Sequence, residues 1–333
     1  MRMQKSFWTS FDCPVVGLSP MDGVTDAPMR FIAKKYGNPD IIYTEFVSAE
    51  GLWRLKKKDD IDNKIWRDLV YDDSERPVIA QLFGSDPDSF YQAAMIVAGM
   101  GFDGIDINMG CPSPGLEKRG GGAGLMRDQG LAREVIEATR EGVGKLPVSV
   151  KTRIGSTKPD ESWWKFLAGM DLPAVAMHGR TFRQLYSGEA DWEILLKAGE
   201  IIRANGTKFL ANGDVMRCQI SDDRSQWKVG LKSGKVVDLN DKADGVLIGR
   251  EAVGNPWVLR KDGYVPLAGE RLAVALEHAR KFEKAFPGVK FFPMRKHLVK
   301  YINGFPLASE LRKKMVLSES AEDVKKMVLD FEK

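Results

Sequence analysis

The sequence predicts an α/β protein, a (β/α)8 TIM barrel carrying a C-terminal all-helical domain. Three observations predict it. Eight short apolar, β-branched runs recur, mostly with helical segments between them. Polar residues gather where these runs end, the end at which barrels carry their sites. After "GNPWVL" (254–259) the composition shifts to charged, helix-forming segments.

The elements follow in order. "PVVGLSPM" (14–21) is the first strand, and "DAPMRFIAKKYG" (26–37) reads as a helix stopped by Gly37. "IIYTEFV" (41–47) and "RPVIAQLFG" (76–84) are the next strands. In "DPDSFYQAAMIVAGMG" (86–101), Asp86 is an N-cap and Pro87 occupies the first helical turn. "GIDINMG" (104–110) is a strand and 128–144 an amphipathic helix. "PVSVKTRIG" (147–155), "AVAMHGR" (174–180), "KFLANGDV" (208–215) and "GVLIGR" (245–250) complete the eight. A doubly wound open sheet is the alternative, but no G-x-G-x-x-G follows the first strand. Residues 216–240 break the alternation, because "VGLKSGKVV" reads as a hairpin where a barrel helix belongs. The expected division is a barrel over 1–258, a linker over 259–270 and a helical domain over 271–333. Helices are expected there at 271–285, 293–303, 307–316 and 320–332.

The 333 residues are 43% hydrophobic and 29% charged, with no apolar run of membrane-spanning length. A cytoplasmic protein with no membrane partner is expected, a monomer by default. Cys13, Cys111 and Cys218 show no metal-type spacing, and there are only three histidines, so no metal site is expected. Net charge is +4, unevenly placed: residues 271–333 hold fourteen Lys or Arg against eight Asp or Glu. A polyanion partner and a solvated helix surface both fit that excess, and charge alone favours the second.

The strand ends carry Pro20, Met21 and Asp22; Glu45; Gln81; Asn108 and Cys111; Lys151 and Arg153; His178 and Arg180; Asn212, Gly213 and Asp214; and Gly249 and Arg250. "NGDV" and "IGR", after the last two strands, fit the phosphate site common in barrels, with Arg250 as a bidentate partner. Lys151, aimed into the mouth, needs an anionic partner. A substrate carbonyl in Schiff-base chemistry and the electron-rich N1–C2=O edge of a flavin are the two candidates, and Gln81 is placed to bond the same ring.

"PMDGVTDAPMR", "QLFGSDPDSF", "DGIDINMGCPSP", "VKTRIG", "HGRT", "NGDV" and "GVLIGREAVGNPW" stand in this order, and together they resemble the tRNA-dihydrouridine synthase family. The tail, with "MRKHLVKYINGFP" and "ELRKKM", resembles that family's RNA-binding domain. The likeness covers almost the whole chain, least at 1–13 and 216–240, and Asp22 stands where alanine is more usual.

The resemblance implies FMN at the barrel mouth, NADPH (or NADH) as electron donor and tRNA as partner. Pro20, Met21 and Asp22 would line the isoalloxazine, Gln81 and Lys151 would bond its polar edge, and His178 would help hold it. Asn212, Gly213, Asp214, Gly249 and Arg250 would take the phosphate. By the same resemblance, hydride would pass from flavin N5 to C6 of a tRNA uridine, and Cys111 would protonate C5 as general acid. Asn108 would orient the uracil. Arg153 would contact the base or its phosphate, and Lys118 and Arg119 in the glycine-rich loop would approach the RNA. Arg295, Lys296, Lys300, Arg312, Lys313 and Lys314 are the expected phosphate contacts of the tail.

Three other readings remain, one of them a flavin-free Schiff-base aldolase on Lys151. An FMN barrel like dihydroorotate dehydrogenase, acting on a free pyrimidine, shares Lys151 and a catalytic cysteine but needs no basic tail. A non-catalytic RNA-binding protein on the same barrel would not need Cys111, Asn108 and Lys151 together.

Overall fold

The computed structural model describes residues 7–11, 14–58, 63–221, 227–239 and 242–331; Cys13 lies outside them. Seven strands run in parallel: β1 (Val15–Leu18), β2 (Ile41–Ser48), β3 (Val78–Phe83), β4 (Gly104–Met109), β5 (Val148–Arg153), β6 (Ala174–His178) and β7 (Lys208–Asn212). The chain then leaves the barrel as β8 (Val215–Ile220), β9 (Trp227–Leu231) and β10 (Val236–Asp238), an antiparallel sheet, and returns as β11 (Gly245–Ile248). β11 pairs with both β1 and β7 and closes the eight-stranded barrel. The expected hairpin is therefore the second half of a three-stranded sheet in the place of a barrel helix. Cys218 is sealed in it, and burial pushes its thiol up to about 12, so it is an inert packing residue.

Helices α1 (Ala27–Ile32), α2 (Ala49–Lys57), α3 (Lys64–Asp68), α4 (Pro87–Gly99), α5 (Pro114–Glu117), α6 (Gln129–Val143), α7 (Glu161–Ala168) and α8 (Trp192–Arg203) occupy the connections. Acidic caps start most of the longer ones. Asp86 accepts from Ser89 N at 2.9 Å to begin α4, and Asp191 does the same for α8 through Ile194 N. The stop expected at Gly37 falls one residue later. A π turn at Ala33–Gly37 follows α1, and Asn38 ends it in the left-handed region at φ 46°. Gly37 has a different reason to be glycine: a Cβ there would lie 2.3 Å from the Pro256 carbonyl oxygen.

Strand residues alternate between two cores. Ile42, Val78, Ala80, Ile105 and Val150 face the helices, while Tyr43, Ile79, Ala176, Leu210 and Leu247 fill the barrel with Trp8. One irregularity redirects side chains. Tyr43 pairs with Ile79, but the next pair is Phe46 with Gln81, so β2 carries an extra residue. This bulge brings Phe46 to the mouth and sends Glu45, which simple alternation aims into the barrel, elsewhere.

Four helices follow the barrel: α9 (Ala268–Ala285), α10 (Phe292–Tyr301), α11 (Ala308–Met315) and α12 (Ala321–Phe331). α9 begins earlier than expected because the Glu270 carboxylate accepts the Leu267 N–H at 2.8 Å. These helices share a core that also takes in Ile32 and Trp257 from the barrel side. His278 and His297 lie inside it with ring centroids 4.9 Å apart, and burial holds both imidazoles neutral. No helix among the described residues is long and apolar enough to cross a membrane.

The loop between β1 and α1 is fixed by one buried ion pair. Arg30 is fully buried; its Nε donates to Glu75 Oε2 at 2.6 Å, Nη1 to the Thr25 carbonyl at 2.8 Å, and Nη2 to the Val70 carbonyl. Removing one partner of such a pair strands the other charge. Arg30→Met is expected to cost about 3–5 kcal/mol of stability in urea unfolding. A loss below about 1 kcal/mol would mean that the pair is dispensable.

Candidate active site

A cavity of about 480 Å³ opens at the C-terminal ends of the barrel strands. Pro20, Met21, Asp22, Gln81, Asn108, Cys111, Lys151, Arg153, His178, Asn212, Gly213, Asp214, Gly249 and Arg250 all line it. Phe46 and Tyr186 join them without having been expected. The geometry comes from strand parity: Gln81, Asn108, Lys151, His178 and Asn212 occupy successive inward positions of neighbouring strands.

A polar chain leads from the barrel centre to the cysteine. Asp106, fully buried, accepts from Ser149 Oγ at 2.6 Å and Gln81 Nε2 at 2.7 Å. Burial pushes its carboxyl up to about 6, with those two bonds pulling the other way. Because Asp106 takes the Gln81 amide N–H, Gln81 Oε1 faces Asn108 and accepts its Nδ2–H at 3.1 Å. Asn108 Oδ1 is then turned to the loop, where it accepts the N–H groups of Gly110 (3.1 Å) and Cys111 (2.8 Å). Asn108 therefore positions Cys111, with one Nδ2–H left for a ligand. Asp106 and Ser149 went unnoticed in the sequence, although "DIN" puts Asp106 on the same strand face as Asn108.

Cys111 sits partly exposed at the cavity, and burial raises its thiol above the usual value. The glycine cluster packs beneath it. A Cβ on Gly122 would lie 2.8 Å from Leu116 Cδ2 and 3.3 Å from Cys111 Cβ, and one on Gly121 would lie 2.9 Å from the Gly84 carbonyl oxygen. These glycines permit close approach under the cysteine loop. Lys118 and Arg119 are exposed beside it and do not line the cavity.

The opposite wall is cationic. Lys151 Nζ donates to Asn212 Oδ1 at 3.2 Å; burial, then the Arg153 charge, pushes it down to about 8. Asn212 Nδ2 donates to the Leu247 carbonyl at 2.7 Å. His178 Nδ1 accepts the Arg180 backbone N–H at 3.2 Å, and burial, with Arg153 and Lys151 nearby, holds the ring neutral. Its proton is therefore on Nε2, which makes it a donor. Arg153 spends Nε on the Gly110 carbonyl (2.8 Å) and Nη1 on those of Thr181 (3.1 Å) and Leu185 (2.9 Å), tying the cysteine loop to the loop after β6.

Asp214 has both oxygens committed. Oδ2 accepts from Arg180 Nη2 at 2.7 Å and Ala190 N at 2.8 Å, and Oδ1 from Arg250 Nη2 at 3.1 Å. Burial raises its carboxyl, but these donors outweigh it and hold the group below the usual range. The side chain expected to face a phosphate instead sets two guanidiniums. Arg180, placed at a strand end by the sequence but given no role there, keeps Nη1 buried without a partner among the described residues. Tyr186 lies exposed between Arg153 and Arg250, 5.8 and 5.2 Å from its ring; it sits in a loop with no periodicity to mark it.

None of the tail cations lines this cavity. Arg295 Nε bonds the Ser318 carbonyl at 2.8 Å, Arg312 Nη1 that of Ile302 at 2.8 Å, and Lys296 Nζ that of Gly23 in the barrel. Lys300, Lys313 and Lys314 are exposed.

Fold and site together define a (β/α)8-barrel enzyme with a cationic, cysteine-bearing mouth. The dihydrouridine synthase (Dus) family model matches residues 17–333, and the chain belongs to that family. It is 32% identical over 340 residues to "Probable tRNA-dihydrouridine synthase 2" of Bacillus subtilis (strain 168), covering 99% of this chain and 98% of that protein. It is 32% identical over 337 residues to "Probable tRNA-dihydrouridine synthase" of Staphylococcus aureus (strain COL), covering 99% and 97%. A solved morphinone reductase overlaps 76% of this chain and 86% of its own with a TM-score of 0.47 at 15% identity. The barrel assignment rests on the strand order itself.

Asp214→Asn leaves Arg180 buried without its counter-charge. A loss of about 3 kcal/mol in denaturant unfolding is expected. An unchanged unfolding midpoint would show that Asp214 does not organise the guanidiniums.

Proposed function

We propose that the protein reduces uridine in tRNA to 5,6-dihydrouridine, with FMN at the barrel mouth and NADPH (or NADH) as electron source. One observation carries this reading: the Cys111 thiol shares a cavity with Lys151, neutral His178 and Arg250. The tRNA substrate is taken from the names of the relatives.

The residues at the mouth fit a flavin mononucleotide. Lys151 and the His178 Nε2–H offer donors to an electron-rich ring, and Arg250 offers a guanidinium to a phosphate. Gly213 and Gly249 line the cavity there, and glycine is required at the first, where φ is +128° and a Cβ would lie 2.7 Å from Ala190 Cβ. Pro20, Met21 and Asp22 line the ring in this proposal, Gln81 and Lys151 hold its polar edge, and Asn212, Gly213, Asp214, Gly249 and Arg250 frame the phosphate. Asp214 does so through its backbone and through the two arginines it sets.

When bound, the flavin supplies the hydride that reaches C6 of the uracil. Cys111 gives the proton to C5, and its thiolate regains one from solvent. A thiol raised by burial stays protonated through neutral pH, as a general acid must. Asn108 fixes the cysteine backbone and offers its free Nδ2–H to the base. The tail forms the RNA-binding domain over 271–333, joined through 259–270 to the barrel over 1–258. Its exposed Lys300, Lys313 and Lys314 meet phosphates, so tRNA affinity falls steeply with salt.

The test is to incubate the flavin-loaded protein with NADPH and tRNA lacking dihydrouridine, then map mass gains of two hydrogens by nuclease digestion. A gain at a defined uridine is expected. Cys111→Ala is expected to lose roughly 100-fold or more in rate while still binding tRNA. The parent rate should fall only above the ordinary thiol range, and the variant should lack that limb. NADPH oxidation without any mass gain would sink the tRNA substrate, and an unimpaired Cys111→Ala would sink the role of Cys111.

A further inference from the structure

A second cavity, of about 610 Å³, lies where the barrel meets the tail. Its barrel wall is polar, with Glu45, Lys64 and Asp68; its tail wall is apolar, with Phe282, Phe286 and Phe292. The β2 bulge is what aims Glu45 here. That side chain is only 3% exposed, and its Oε1 has no hydrogen-bond partner among the described residues. A buried carboxyl oxygen left without a partner is costly, so a group that completes it is called for. Opposite, the Phe292 ring is 70% exposed, with the Arg295 guanidinium over it, 5.8 Å from its centroid.

The two cavities share one partition. Met21, Asp22 and Val24 line the first; Gly23 and Asp26, on the same loop, line the second. Lys296 bonds the Gly23 carbonyl at that partition. A ligand with a ring in each cavity therefore crosses the loop beside a lysine, as a sugar–phosphate backbone does.

We propose that the second cavity receives a nucleobase flanking the target in the same RNA strand, stacked on Phe292 and hydrogen-bonded at its edge by Glu45. This rests on the function proposed above. Stacking on an exposed aromatic and edge bonding by a carboxyl are the usual means of holding an unstacked base. Burial, then the Asp68 charge, pushes the Glu45 carboxyl up to about 7, so a large share of it carries a proton near neutral pH and both donates and accepts.

The test is a double-mutant cycle on tRNA affinity with the full-length, flavin-loaded protein. One axis is Phe292→Ala, at an exposed position; the other is a tRNA transcript made abasic at a nucleotide flanking the target. Each change alone is expected to weaken binding roughly tenfold, and both together no more than either. Glu45→Leu should show the same lack of additivity with the abasic site. Full additivity, or unchanged affinity in Phe292→Ala, overturns the proposal. So does a rise in the KM for NADPH without a change in tRNA affinity, which would assign the cavity to the adenine of the dinucleotide. A parent protein that binds tRNA but forms no dihydrouridine would refute the proposed reaction, and the affinity cycle would still decide the cavity.

Discussion

The carboxyl group of Asp106, sealed in the barrel, sets the direction of each hydrogen bond that leads to Cys111. A carboxylate accepts and an amide has two unlike ends, so one acceptor at the root orders the whole chain. Gln81 and Asn108 are held in single orientations, and the N–H of Cys111 is drawn in by a carbonyl oxygen that has nowhere else to turn. The thiol is thus placed by a network that reaches across β3, β4 and β5. The root of such a network has to be satisfied, and β5 supplies Ser149 as second donor to Asp106.

The cationic wall poses the opposite problem. Lys151, Arg153, Arg180 and Arg250 crowd one end of the barrel, and their mutual repulsion must be offset. Arg153 does it with backbone carbonyls of two loops, Lys151 with Asn212, and Arg180 and Arg250 with Asp214. Asp214 sets one negative charge against two guanidiniums, so that part of the wall stays electropositive. It is this residual charge, carried at the cavity by Lys151, Arg153 and Arg250, that makes the mouth receptive to an anionic ligand.

The sequence made the barrel legible because parallel strands buried on both faces read as apolar runs, and eight of them leave few alternatives. The mouth was legible for the same reason: once a strand end is known, so are its inward side chains. What escaped was set by local geometry. The β2 bulge exchanged Glu45 for Phe46, which no alternation rule foresees. The glycine-rich loop after Cys111 was read as an approach to the RNA, and its lack of side chains also serves packing against Leu116 and Gly84. The helix expected to stop at Gly37 ends on Asn38, which takes the left-handed cap, while Gly37 is needed where Pro256 crosses. In each case a tertiary neighbour decided what the local pattern left open.

The loop from Ser19 to Asp26 is the element on which the two cavities depend together. Its outer end is capped onto α1 by Asp26, which accepts the Met29 N–H at 2.9 Å. Its turn is closed by Thr25 Oγ1, which accepts the Met21 N–H at 3.0 Å. Its Thr25 carbonyl is held by Arg30, which is itself locked to Glu75 across the barrel wall. The partition is tied at three points by residues of the barrel, so the separation between the two cavities is built by the barrel itself. The tail adds the aromatic wall and, through Lys296, one further tie to Gly23. A polymer that fills both cavities must therefore adapt to the protein, and the unstacking it undergoes is stabilised by groups already in place.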